Sequence, residues 1–417
     1  MGTISMHHLR QPWGVRFFNR AGGWLEKTGL LHLPIDDAAL MEAACRQTGL
    51  SDFGDDAFRE PLRRLVDSLV NEARLNLMGR IAARQDILQL LVNRLQLRRD
   101  RVEFPAIASQ VIAAPLFIVG LPRTGTTLLH ALLGADPRNR APLTWEVMYP
   151  PAPDSTDVTQ RIARAQKNLD WLDRLAPAFK AIHLTGAELP QECLPIMSHA
   201  FMSDEFETLF DVRSYQEWLE KTDMRPAYAC HKEFLQHLQV RLPARRWVLK
   251  APAHMLTIHT LFETYPDARI VQTHREPLDV IASTTSLMLV LRNVFSDHTN
   301  PALLGRENFR FWGDMLDYFV EARDKYPAGR FFDLDYREIV QDPIGAVRRL
   351  YAHFGDELTP AAEANMRDFL AKNPKDKHGA HHYTLAQFGI DAAVEGPRFD
   401  RYRERFHLSP PRAVPAA

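Results

Sequence analysis

Apolar residues recur at three- and four-residue spacing through the first hundred positions, over Asp36 to Gly49, Ala57 to Arg84 and Arg84 to Leu97. That spacing stacks them on one face of a helix and predicts a helical region. The texture changes at Ala114. Residues 115–120, PLFIVG, form a short apolar run without alternation, the pattern of a strand buried on both faces. A Gly- and Thr-rich turn comes next, and then LLHALLGA, which reads as helix. RWVLK (246–250), ARIVQTH (268–274) and RFFDLDY (330–336) are three further strands, each ahead of a helical pattern. Strand-then-helix alternation implies an α/β fold with a parallel sheet flanked by helices.

About 125 residues separate the first two strands, far more than one crossover needs. They open Pro-rich, from Pro142 to Pro153, and then read as helices, for example Val158 to Leu175 and Ser214 to Lys221. The organisation expected is a helical N-terminal region over 1–113 packed on the core, an α/β domain over 114–390 with a helical insertion at about 145–245, and a C-terminal extension over 391–417. The N-terminal helices carry no chemical motif and suit a cap or a homodimer surface.

Composition narrows the function. With 417 residues, 46% hydrophobic and 25% charged, the chain is long and apolar enough to bury a real core. A formal net charge of -1 leaves no global basic field for nucleic acid, so any anion site must be a local pocket. Cys45, Cys193 and Cys230 lie far apart, without CxxC or metal spacing, which fits a reducing cytoplasm. Met1 to Gly14 has no apolar core or cleavage signal, and Met6 breaks the myristoylation pattern. No apolar run approaches the ~20 residues of a membrane span. His378, His381 and His382 cluster near Tyr383 without supporting carboxylate or Cys spacing, so no metal is expected.

The chemistry sits where strands end. Gly120-Leu-Pro-Arg-Thr-Gly-Thr-Thr127 lies between a strand and a helix. Backbone N–H groups there lack helical partners, and the helix dipole favours an anion. Gly120 and Gly125 permit close approach of the backbone, Thr126 and Thr127 add hydroxyls, and Arg123 adds a forked cation. The spacing nearly matches GxxxxGK[ST], but Thr126 stands at the Lys position, which argues against metal-bound triphosphate. The sheet is therefore P-loop-like, with its cation moved inside the loop. A second anion site is suggested by His274-Arg-Glu-Pro-Leu-Asp-Val-Ile-Ala-Ser283, where a helix starting near Pro277 presents Ser283 toward Arg275. Two such sites suit a nucleotide with phosphates at two places.

The pair resembles the PAPS-dependent sulfotransferase family, whose donor is 3'-phosphoadenosine-5'-phosphosulfate (PAPS). LPRTGTT is similar to that family's 5'-phosphosulfate loop, PKSGTT or PRSGTT, and REPLDVIAS to its 3'-phosphate motif, RNPxDxxxS. VLKAPAHM (248–255) resembles the LKxPxH segment of the bacterial branch, and RFFDLDYREIVQDPIGAVRRLYAHFG the later strand and helix. The resemblance implies that Arg123, Thr124, Gly125, Thr126 and Thr127 bind the 5'-phosphosulfate, that Arg275 and Ser283 bind the 3'-phosphate, and that Tyr336 lies near the adenine. It further places Lys375, His378 and Gly379 in a basic segment closing over the 3'-phosphate, although the family's RKGxxG pattern is absent.

The activity implied by this resemblance is transfer of a sulfuryl group to a hydroxyl or amine of a small acceptor, in line and without metal, leaving the bisphosphate PAP. Growing charge on the leaving phosphate needs cations, for which Arg123 and Lys250 are candidates. The acceptor proton needs a base, either His254 in KAPAHM or Glu146 in LTWEV. Trp145, Tyr149, Phe201, Phe206 and Phe210 in the insertion suggest an acceptor with an apolar body, and core packing explains them equally well. The competing functions are a P-loop nucleotide kinase and a non-catalytic PAP-binding protein.

Overall fold

The structure, a computed structural model, describes residues 13–28, 33–182, 184–243, 245–374 and 384–408. Its contacts divide the chain into two compact units. One comprises Met1–Ile112, Pro142–Pro243 and Met288–Thr299; the other Ala113–Ala141, Ala244–Leu287 and Asn300–Ala417. The helical insertion and the N-terminal helices therefore share one unit, and the residues after 391 go with the sheet.

The helical unit begins with α1 (Trp13–Lys27), α2 (Asp37–Thr48), α3 (Arg59–Asn71) and α4 (Leu77–Glu103). Asp36 caps α2, its carboxylate accepting the Ala39 N–H at 2.8 Å, and Gly49 at φ 70° ends it in the left-handed conformation that glycine adopts without strain. The periodicity predicted helices over 57–84 and 84–97, but the break falls earlier. Arg74 takes φ 46°, Leu75 bridges to Ser296, and the Asn76 side chain caps Gly79 at 2.9 Å, so that α4 runs unbroken through Arg84. Ala83, Ile87, Leu91 and Leu95 form its buried stripe. The insertion supplies the helices Val158–Leu175 and Arg225–Arg241, and a small core of Trp145, Tyr149, Ala165 and Ala187.

The sheet unit holds five parallel strands in the order β2-β3-β1-β4-β5: β1 (Leu116–Gly120), β2 (Asn139–Arg140), β3 (Arg246–Lys250), β4 (Arg269–His274) and β5 (Phe331–Asp335). The four strands read from the sequence are present, and the two-residue β2 is an addition too short to show periodicity. Central β1 is buried along its length, as a doubly covered parallel strand must be. It pairs Ile118 with Lys250 on one side and Gly120 with Thr273 on the other. Helices α5 (Thr126–Gly134), α6 (Pro277–Phe295), α7 (Pro301–Arg323) and α8 (Tyr336–Gln341) come after β1, β4, α6 and β5. Leu116, Ile118, Leu129, Leu132, Val271, Leu334 and Val347 build the core on one face. The sequence showed no apolar run of span length, yet α6 is long and apolar enough for one. Its apolar window is 89% buried inside the protein, which makes it a core helix.

Candidate active site

The loop after β1 is shaped by close approach to β4. Gly120 has φ 137°, and a Cβ there would lie 2.6 Å from the Thr273 carbonyl oxygen, with the Thr273 hydroxyl closer still. Only glycine fits. Thr124 is fully buried. Its hydroxyl donates to the Leu121 carbonyl and shares a hydrogen bond with the Thr273 hydroxyl, each at 2.6 Å. It braces the loop from beneath. Arg123 holds φ 66°, a left-handed conformation that costs a non-glycine residue about 1–2 kcal/mol. Gly125 at φ 87° then turns the chain into α5, whose first N–H groups, from Thr126 onward, have no carbonyl a turn earlier to bond.

The second motif meets the first here. Arg275 comes directly after β4, and its Nη1 donates to the Arg123 carbonyl oxygen at 3.0 Å. Ser283, buried on α6, accepts from Arg123 Nε at 3.2 Å. The Arg275 guanidinium lies 4.6 Å from the Tyr336 ring centroid, and Asp279 approaches it at 4.0 Å. Burial pushes the Asp279 carboxyl up and Arg275 opposes it. Tyr336 opens α8 beside Gly125, 3.4 Å from where a Cβ on that glycine would stand. Arg123, Thr124, Gly125, Arg275, Ser283 and Tyr336 are thus in one place, with Thr126 and Thr127 opening α5.

A network that the sequence did not reveal fixes the residues on either side of Arg275. His274 bonds Tyr402 through Nδ1 at 2.8 Å and Asp333 through Nε2 at 2.9 Å, with its ring stacked on Phe406. Arg323 grips Asp333 at 2.8 and 3.0 Å and also bonds Gln272. Burial lowers the His274 pKa, against the pull of Asp333. Burial also opposes the Asp333 charge, but hydrogen bonds from His274 and Arg323 outweigh it and hold that carboxyl far below its usual range. Glu276 takes a two-pronged pair from Arg403 at 3.0 and 2.6 Å. Arg275 therefore projects from a pinned strand end. The one sequence signal was a cluster of polar residues, Gln272 to Glu276, closing an otherwise apolar strand.

The remaining candidates belong to other elements. Lys250 ends β3 and is buried, in register with Ile118 of β1. His254, on the turn Pro252–Met255, is fully buried with its ring edge-on to Phe117, centroids 4.9 Å apart. Glu146 belongs to the helical unit, where its carboxylate accepts the Leu143 N–H at 3.0 Å and caps the helix Thr144–Met148. Lys375, His378 and Gly379, with His381, His382 and Tyr383, lie outside the described residues. Among the described residues no group of three or more His, Cys, Asp or Glu is placed to hold a metal ion. Trp145, Tyr149, Phe201, Phe206 and Phe210 are all buried side chains, as the core-packing alternative expects.

A buried parallel strand, a glycine-bounded loop at a helix start, and an Arg–Ser pair from the next strand and helix define an α/β protein of P-loop-like architecture. Likeness to known proteins carries this further. The chain belongs to the sulfotransferase family, whose model matches residues 115–360, and is an enzyme that transfers a sulfuryl group. It is 29% identical over 325 residues to the omega-hydroxy-beta-dihydromenaquinone-9 sulfotransferase Stf3 of Mycobacterium tuberculosis, covering 74% of this chain and 81% of that protein. Among solved structures it is similar to sulfotransferase STF1 of Mycobacterium tuberculosis H37Rv, with TM-score 0.78 and 31% identity over 88% of this chain and 99% of that one. It is also similar to STF9 of Mycobacterium avium, with TM-score 0.81 and 28% identity over 90% of this chain and 97% of that one.

Proposed function

We propose that the sulfuryl donor is PAPS, held by its 5' end at Arg123, Thr124, Gly125, Thr126 and Thr127 and by its 3'-phosphate at Arg275 and Ser283, with the adenine near Tyr336. The observation that carries this reading is the hydrogen-bonded join between the two motifs: Arg275 to the Arg123 carbonyl, and Arg123 to Ser283. Two anion grips tied together this way suit opposite ends of one adenosine bisphosphate. Thr124 braces the loop, so its backbone rather than its occupied hydroxyl serves the ligand. Lys375, His378 and Gly379 are proposed to close over the 3'-phosphate.

In the reaction the acceptor oxygen bonds to sulfur as the bond between sulfur and the 5'-phosphate oxygen breaks, releasing PAP, and the acceptor's proton passes to a base. Arg123 and the start of α5 neutralise charge on the departing phosphate, with Lys250 as the second cation. His254 is the first candidate for the base and Glu146 the second. The acceptor is proposed to be a hydroxyl on an apolar body. This rests on the relative that acts on an omega-hydroxylated dihydromenaquinone, since the insertion's aromatic residues are core. A cytoplasmic setting is proposed from the three free cysteines.

The test is PAP affinity by calorimetry. Arg123→Ala and Arg275→Ala should each weaken binding by about 1.5–3 kcal/mol, the worth of a charge-assisted contact. Near-native affinity in both variants would refute the assignment. Turnover of labelled PAPS across hydroxylated apolar acceptors separates an enzyme from a protein that only binds PAP.

A further inference from the structure

Helix α1 reverses the usual amphipathic arrangement. Val15, Asn19 and Gly22 face the protein. Asn19 accepts the Met78 N–H at 3.0 Å, and a Cβ on Gly22 would come 2.7 Å from Leu77 Cβ, so the helix lies close on the start of α4 by its small face. At about 100° per residue, those three occupy roughly 60° of the helix circumference. The opposite side carries Trp13, Phe17 and Trp24, which are 75%, 63% and 62% exposed. Trp13 and Phe17 stack with centroids 5.9 Å apart. Arg16 and Arg20, both exposed, border the aromatic row on one side, and Gly14 and Ala21 lie on the other. Three of the largest side chains of the helix thus face water, while Val15, Asn19 and Gly22 face the core.

We propose that α1 is an interfacial anchor that lays this protein on an anionic phospholipid surface. Indole and phenyl rings settle at the boundary of headgroups and acyl chains, and guanidinium groups beside them pair with lipid phosphates. Charge selects this partner over a second copy of the chain. From Trp13 to Trp24 the helix carries Arg16 and Arg20 and no acid, so two-fold pairing of the row with itself brings like charges together. The surface is independent of the nucleotide site, since none of these residues belongs to the loop or to β4.

The experiment is co-sedimentation of the full chain with vesicles of phosphatidylcholine, with and without phosphatidylglycerol, alongside tryptophan emission. The native protein should bind the phosphatidylglycerol vesicles, with emission shifted to the blue. Trp13→Ala/Phe17→Ala/Trp24→Ala should bind at least about tenfold less, and Arg16→Glu/Arg20→Glu should lose the preference for the anionic lipid. Both variants should keep native PAP affinity, which separates a failed anchor from a failed nucleotide site and from misfolding. The proposal is overturned if the native chain ignores the anionic vesicles, or if the triple variant binds them as well as the native chain does. It is also overturned if light scattering shows a dimer that the triple variant dissolves, because the row would then join two copies of the chain.

Discussion

Gly120→Ala tests the fold and the site in one substitution. The added methyl must occupy a backbone at φ 137° and stand 2.6 Å from the Thr273 carbonyl oxygen. The first demand costs about 1–3 kcal/mol, as for other residues held in sparsely populated conformations. The second forces apart two paired strands and adds about 1–3 kcal/mol of overpacking. A sum of about 2–6 kcal/mol is a large share of the roughly 5–15 kcal/mol by which domains are stable. Gly125→Ala is the control. Its φ of 87° is also unfavourable, but its methyl meets the Ile339 Cδ1 at 3.1 Å, the movable end of a side chain, and about 1–2 kcal/mol is expected. Urea unfolding read by fluorescence gives the stabilities, and calorimetry with PAP gives the affinities. Gly120→Ala should be the less stable of the two. Adding Thr273→Gly should recover only part of the loss, because the hydroxyl contact goes and the carbonyl contact stays. A Gly120→Ala protein within about 0.5 kcal/mol of native, the range of an ordinary surface substitution, would refute this account of the β1–β4 approach.

The buried charges supply further tests. Asp333→Asn should lower PAP affinity although it touches no ligand, because it loosens the His274 and Arg323 contacts that mount Arg275; unchanged affinity with a native fold would show that the mount is unnecessary. Its stability cost should be only about 1–2 kcal/mol, since the Asp333 side chain is 43% exposed and screened. Burial, reinforced by the charge of Asp86 and opposed by the Ser198 hydroxyl, pushes the Glu205 pKa up from 4.5 to about 8. A raised carboxylate pKa means the folded state binds the extra proton, so this stabilisation is lost as pH climbs from 4.5 through 8. Glu205→Gln does not titrate, so its unfolding free energy should gain on that of the native protein across that window, by on the order of 2–4 kcal/mol at the alkaline end; a difference independent of pH would contradict the burial of this carboxyl. His254→Ala and Glu146→Ala should separate base from bystander, the true base losing kcat with PAP affinity nearly kept, while loss of stability alone in both variants would remove both from the mechanism.

The strands were legible because a doubly buried strand must be continuously apolar, and PLFIVG and ARIVQTH are. The loop was legible because a tight strand-to-helix turn demands glycine where φ is positive, and Gly120 and Gly125 occupy positive φ. The division of α3 from α4 was not legible. The apolar spacing runs on through 72–76, and the break comes from the left-handed Arg74 and the bridge of Leu75 to Ser296, more than two hundred residues later. Gly79 marks the same meeting, since a Cβ there would overlap the Phe295 carbonyl. The support behind Arg275 was hidden for the same reason, because His274, Arg323, Asp333 and Tyr402 meet only in the folded chain.

Acceptor recognition was illegible for a different reason. Phosphate is held by a backbone conformation and a few cations, so its site constrains particular residue types at particular spacings. An apolar acceptor is held by the same side chains that fill a core, and Phe58, Phe201 and Phe206 pack against one another as core rings do. What distinguishes the helical unit chemically is its polar exceptions. Asp86 and Glu205, pushed up to about 6 and about 8, keep partial solvent contact although protein surrounds them. Asp204 and Glu207 stand in the same condition, pushed up to about 6 and about 7 by burial. Asp86→Asn and Glu205→Gln, measured with a fixed acceptor, test whether these carboxyls bear on acceptor binding: a larger change in KM for the acceptor than for PAPS would support that role, and equal effects on both would exclude it.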